Sequence, residues 1–313
     1  MSGIEVLAPG LLTTVQDRGR PGYARFGVSA CGAADELALR LGNRLAGNGE
    51  DAAALEQTLA GGTFRFEAGA RVALTGADMQ AACDGEPFAV GTVRTVGAGG
   101  LVTCRSAARG ARAYLCVAGG IAVPAVLGSR STHVRSGLGG LEGRALRRGD
   151  RLPLGQAPAS TAVRLSEGAL RRLATTEPIR VTRGAQARQF APEAFDRLLG
   201  DGITVSASSD RMGLRLSGVR IDPPGDGRMP SEGVPLGAIQ MPPGGEPLLL
   251  FVDHQTTGGY PVLAAVVRAD LWRVGQLRPG ERLRFALVPM REARRLAREQ
   301  EAWLRSPGVL VVD

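Results

Sequence analysis

The chain has 313 residues, of which 44% are hydrophobic and 4% aromatic, and a formal net charge of +8. That length supports two packed domains, and no apolar stretch approaches membrane-spanning length. All 38 basic residues are arginine, so a Walker-type phosphate loop, a lysine Schiff base and a self-carried biotin are excluded.

Short apolar runs punctuated by Gly, Pro and Asp recur at 70–74, 100–104, 114–118, 179–182, 203–205, 248–252 and 283–287. This rhythm predicts a mainly β, barrel-like architecture. Three helices are expected. The first, over 35–45, sets Leu37, Leu41 and Leu45 on one stripe with Gly47 beyond its end. The second, over 192–199, starts on a proline, stops at Gly200 and buries Phe195, Leu198 and Leu199. The third, over 291–304, sets Leu296, Trp303 and Leu304 against an arginine-rich outer face. Leu-Arg-Arg-Gly-Asp-Arg-Leu at 146–152 is answered by Leu-Arg-Pro-Gly-Glu-Arg-Leu at 277–283, an internal repeat that two similar β barrels would explain. The expected division is a first barrel over 1–155, a linker over 156–177, a second barrel over 178–290, and a C-terminal helix and tail over 291–313.

Two polar, glycine-rich runs are the candidate site loops. Gln16-Asp17-Arg18-Gly19-Arg20-Pro21-Gly22-Tyr23 opens the chain, and Asp253-His254-Gln255-Thr256-Thr257-Gly258-Gly259-Tyr260-Pro261 lies between two apolar strands. Asp253 is the first candidate for proton transfer or substrate orientation, with Gln255 and Thr256 as donors to a carbonyl oxygen and Asp17 as a further catalytic candidate. Gly258 and Gly259 would offer backbone N–H groups as an anion nest, with Tyr260 as a wall. Arg20, Arg130 with Ser131 and Thr132, and Arg211 with Asp210 orienting it are candidate grips for a carboxylate or phosphate. Gln240 is a hydrogen bonder at a barrel mouth. His254 has no acid and nucleophile pattern around it, which argues against a hydrolytic triad.

Cys31, Cys83, Cys104 and Cys116 form no Cys-x-x-Cys pair, and His133 and His254 are the two histidines. No metal site is therefore expected, and four unpaired thiols suit a reducing cytoplasm. Met1-Ser2-Gly3-Ile4-Glu5 lacks the basic start and apolar run of a secretion signal. The scattered arginines and few aromatics argue for an ordinary charged surface and against a nucleic-acid partner.

The two glycine-rich loops occur together with Gly32-Ala33-Ala34-Asp35, Gly42-Asn43, Leu55-Glu56, Thr75-Gly76-Ala77, Gly128-Ser129-Arg130-Ser131-Thr132, Asp210-Arg211-Met212-Gly213 and Gly237-Ala238-Ile239-Gln240. The ordered set resembles the 5-oxoprolinase C-subunit family, also called allophanate hydrolase subunit 2 or biotin-dependent carboxyltransferase. Cys31 and Ala34 depart from the usual serine and methionine. The resemblance implies two tandem cyclophilin-like barrels and a site shared with partner chains. Its first functional implication is a component of an ATP-dependent 5-oxoprolinase, inactive without a B-type subunit (allophanate hydrolase subunit 1-like) and an A-type lactam-hydrolase subunit. There, phosphorylating the lactam oxygen creates a leaving group. A second is the carboxyltransferase half of a urea or amide carboxylase, with biotin carried on a partner's lysine. A third is a regulator that binds a histidine-kinase inhibitor of the B-subunit family.

Overall fold

The computed structural model describes residues 3–159 and 163–312; the expected linker therefore lies partly outside the described residues, as do Met1 and Ser2. The fold is mainly β and divides into two compact units. The first comprises Met1–Arg20, Cys31–Thr175 and Leu304–Asp313; the second comprises Pro21–Ala30 and Thr176–Trp303.

In the first unit, a six-stranded sheet runs in the order Arg151–Pro153, Gly3–Ala8, Thr63–Phe66, Leu101–Thr103, Ala82–Cys83, Glu86–Pro87. A five-stranded sheet runs Leu12–Gln16, Ala54–Thr58, Arg109–Val117, Ala70–Asp78, Thr92–Val96. Alternation puts Ile4, Val6, Phe64, Phe66 and Val102 of the first sheet into one core with Val15, Leu55, Val72, Leu74 and Leu115 of the second. Each such side chain contributes about 1.5–3 kcal/mol on burial, so this shared core holds the two sheets together.

The helix α1 (Glu36–Ala46) is capped by Asp35, whose carboxylate accepts from the Ala38 N–H at 2.8 Å, and ends at Gly47 in a left-handed conformation. It lies close on the five-stranded sheet because residue 42 is glycine. A Cβ there would fall 2.6 Å from Cys116 Sγ and 2.7 Å from Thr75 Oγ1. Tyr114 ties the helix start down, donating its hydroxyl to Glu56 and accepting from the Asp35 N–H, each at 2.7 Å.

The stretch expected as a linker carries structure of its own in the first unit. Val163–Leu165 pairs with Leu310–Val312, and α2 (Glu167–Leu173) begins on a Ser166 cap.

In the second unit, a seven-stranded sheet runs Thr204–Val205, Gly213–Ser217, Leu248–Leu250, Ala238–Gln240, Val262–Val266, Ile179–Arg183, Phe285–Leu287, and its last pair is parallel. The helix α3 (Glu193–Leu199) buries Phe195 and Leu198, with Leu199 half-buried, and Arg183 lies over the Phe195 ring at 4.3 Å. A short helix α4 (Leu271–Val274) follows, and α5 (Met290–Arg305) packs Ala293 and Leu296 against Val267 and Ala269. A separate ribbon pairs Glu232–Gly233 with Thr257–Gly258. Among the described residues no helix is long and apolar enough to cross a membrane.

The repeat is a structural unit in both halves. Arg147 N–H donates to the Asp150 carboxylate at 2.7 Å, and Arg278 N–H donates to that of Glu281 at 3.0 Å. Each turn then docks the same way: Gly149 donates to Val6 O and Val6 to Asp150 O, while Gly280 donates to Val205 O and Val205 to Glu281 O. Gly149 and Gly280 both have positive φ, +88° and +82°, which a side chain would strain.

Candidate functional site

The candidate residues fall into two sets, one in each unit. In the first unit Asp17 organises the set. Its Oδ1 accepts from Gly19 N–H at 2.8 Å and from the Ser129 and Ser131 hydroxyls at 2.6 Å each; its Oδ2 accepts from Arg130 N–H at 2.5 Å. The carboxylate thus spans more than a hundred residues of sequence to fix the 129–131 loop. Asp17 N–H donates back to Ser131 Oγ at 2.9 Å, and Thr132 Oγ1 donates to Val15 O at 3.0 Å. Both hydroxyls expected to grip a ligand are therefore occupied within the fold, and both residues are fully buried. Arg130 is exposed, and its Nε donates to Val123 O at 2.8 Å. Arg20 is buried, with Nε on Val126 O at 3.4 Å and Nη2 on Ser131 O. Ser129, which stands in the same sequence motif but is not among the candidate residues, completes the set.

In the second unit Arg211 and Asp253 form a two-pronged buried pair. Arg211 Nε donates to Asp253 Oδ2 at 2.9 Å and Nη2 to Oδ1 at 3.0 Å, with side chains 8% and 7% exposed. The Asp253 N–H donates to Arg211 O at 2.9 Å, which locks backbone as well as side chain. Asp210, expected to orient Arg211, instead accepts from Met212 N–H at 2.8 Å and Gly213 N–H at 3.2 Å in a local turn. Asp253 therefore differs from the expected free base: an arginine fork engages both of its oxygens.

Beyond Asp253 the loop turns outward. His254 Nδ1 lies 2.6 Å from Gln255 O, and burial pushes its imidazole below the usual histidine range. Gln255 is exposed and Thr256 half-buried. Gly258 and Gly259 do not form the expected nest, because neither has a positive φ and Gly258 belongs to the ribbon. Gly258 instead makes room for Gln240: a Cβ there would fall 2.8 Å from Gln240 Nε2. Tyr260 is 37% exposed.

Gln240 is fully buried; its Nε2 donates to Tyr260 O at 3.2 Å, while its Oε1 has no partner among the described residues. The bond to Tyr260 fixes the amide orientation, since a flip would set oxygen against oxygen. What remains is a fixed, buried acceptor that lacks a donor, a state that costs about 1–3 kcal/mol until one arrives.

These side chains do not fit a nucleotide. The Arg211 fork is spent on Asp253, Arg130 Nε is on a carbonyl, the Ser131 and Thr132 hydroxyls are engaged, and neither glycine of the pair has a positive φ. Biotin likewise has no lysine here on which to ride.

Two β units in tandem, each presenting a polar loop set on a buried acid–arginine or acid–hydroxyl anchor, define the class by fold. Residues 26–287 match the model of the carboxyltransferase domain, subdomain A and B, and the chain belongs to that family. It is 37% identical to the 5-oxoprolinase C subunit of Escherichia coli (strain K12) over 96% of both chains. The Haemophilus influenzae protein of the same name is 36% identical, again over 96% of both. The crystal structure of Kluyveromyces lactis urea carboxylase superposes with a TM-score of 0.90 at 32% identity, covering 99% of this chain and 30% of that one. The mainly β architecture with few helices is the class expected.

Proposed function

We propose that this chain is the C subunit of an ATP-dependent 5-oxoprolinase, opening 5-oxoproline to L-glutamate together with a B-type subunit and an A-type lactam-hydrolase subunit. The observation that carries this reading is the end-to-end match with two oxoprolinase C subunits, whereas the chain corresponds to 18% of the yeast urea amidolyase. A chain without lysine fits an assembly in which other chains hold the ATP.

The geometry agrees with an amide substrate. Gln240 Oε1 accepts a lactam N–H, the one donor that a cyclic amide presents beside its carbonyl. Tyr260 forms the wall, and Gln255 and Thr256 face the carbonyl from the loop. Asp253 and Arg211 are positioning residues in this reading: their paired side chains fix the start of the loop. Asp17 has the same part in the first unit. Ser131 and Thr132 shape the 129–132 loop, and exposed Arg130 stands at its edge.

Omission tests this reading. The purified chain should show neither ATPase nor lactamase activity, and the mixture with its two partner subunits should hydrolyse ATP only when 5-oxoproline is present. Undiminished 5-oxoproline-dependent hydrolysis by the two partners without this chain would overturn it.

A further inference from the structure

We infer that the first unit carries a buried oxyanion site built on the Arg20 guanidinium, taking a small carboxylate or phosphate. The inference concerns binding by this chain and stands independently of the reaction assigned above. Arg20 is 1% exposed and heads the largest fully buried side chains. Its Nε and Nη2 donate to the backbone carbonyls of Val126 and Ser131, and Nη1 has no hydrogen-bond partner among the described residues.

Among the described residues no carboxylate pairs with it. The acid nearest in sequence, Asp17, spends its oxygens on Gly19, Ser129, Arg130 and Ser131. A buried charge without a counter-charge costs several kcal/mol, and guanidinium groups do not shed their proton to escape that cost. The unengaged Nη1 leaves the guanidinium a donor for an oxyanion from outside the chain.

Glycine backbone packs against the guanidinium on its Nη2 side. Gly139, at φ +71°, lies against the guanidinium, and a Cβ there would fall 2.7 Å from Nη2 and meet Ser131 O. Gly140 N–H donates to Arg130 O at 3.1 Å, tying this glycine loop to the Asp17-anchored one. The carbonyls occupy the Nε and Nη2 positions, so Nη1 is the donor left for a ligand. That arrangement suits one oxygen of an oxyanion and is unsuited to a two-pronged carboxylate clasp.

The test uses the full chain. Thermal unfolding is followed against formate, inorganic phosphate, 5-oxoproline and glutamate, with chloride at matched ionic strength. A saturable rise in midpoint with at least one oxyanion and none with chloride is expected, and Arg20→Met should weaken the apparent affinity at least tenfold. A response to formate and phosphate alike means a general oxyanion site; a response confined to 5-oxoproline or glutamate means a site for the carboxylate of substrate or product. No saturable response in the wild type, or an equal one in Arg20→Met, overturns the inference. Should Arg20→Met fail to fold, wild-type crystals grown with selenate decide the matter. An anomalous peak within hydrogen-bond distance of Nη1 supports the site, and its absence overturns it.

Discussion

The Arg211–Asp253 pair makes a prediction about sign as well as size. Both side chains are nearly sealed from solvent, and two hydrogen bonds of 2.9 and 3.0 Å join them. Arg211→Met would remove both guanidinium hydrogen bonds from a buried carboxylate, a loss of about 3–5 kcal/mol. At about 2–4 °C per kcal/mol, the unfolding midpoint should fall by roughly 6–20 °C. Asp253→Asn in the wild-type background sets an amide NH2 or a neutral oxygen before the guanidinium and should also destabilise. In the Arg211→Met background, where the guanidinium is gone, the same Asp253→Asn change should cost less than it does in the wild type. Urea unfolding of the four proteins of this double-mutant cycle, followed by far-UV circular dichroism, reads the coupling directly. Additive losses, or a single-variant cost under about 1 kcal/mol, would refute the claim that the pair fixes the loop.

Three further expectations follow from the geometry. Gly258→Ala should lower turnover of the assembled complex at least tenfold while moving the unfolding midpoint of the chain by only a few degrees, because its Cβ meets Gln240 Nε2 on an open ribbon; unchanged turnover would detach Gln240 from the substrate. The Asp150 carboxyl is held below its ordinary 3.8, chiefly by hydrogen bonds from Arg144, so its stabilisation is present at neutral pH and is lost as pH falls through the lowered value. The stability gap between wild type and Asp150→Asn should therefore be constant near neutrality and close below about pH 3.8; a gap that widens in acid would contradict the assignment. Burial pushes the Cys104 thiol up to about 11 and that of Cys116 higher still, so a thiol reagent at mildly alkaline pH should leave both unlabelled in the native chain and reach all four cysteines in denaturant.

Local signals make part of this fold legible. The Asp35 cap, the leucine stripe and Gly47 locate α1 to within a residue, and the apolar runs at 179–182 and 248–252 are strands. The repeat at 146–152 and 277–283 marks two turns with the same carboxylate-to-backbone bond and the same docking. The helix α2 escapes a sequence reading although Ser166 caps it, because its surroundings have the composition of a linker; α4 has four residues, too few for a periodic signal. At the candidate sites residue types are readable and partners are not. Asp17 meets Ser131 across 114 residues and Arg211 meets Asp253 across 42, and no periodicity encodes such pairings. That is why Asp253 reads as a free base in sequence and as half of an ion pair in the fold. The absence of a positive φ at Gly258 and Gly259 is equally hidden, since a glycine pair permits a nest without requiring one.

The central claim concerns which amide the assembled protein opens. With both partner subunits, ATP, bicarbonate and equal amounts of 5-oxoproline and urea, the products can be followed together by isotope-resolved mass spectrometry. Glutamate formed in step with ATP hydrolysis, dependent on this chain and without carboxylated urea, is the result expected. Carboxylated urea in place of glutamate would contradict it.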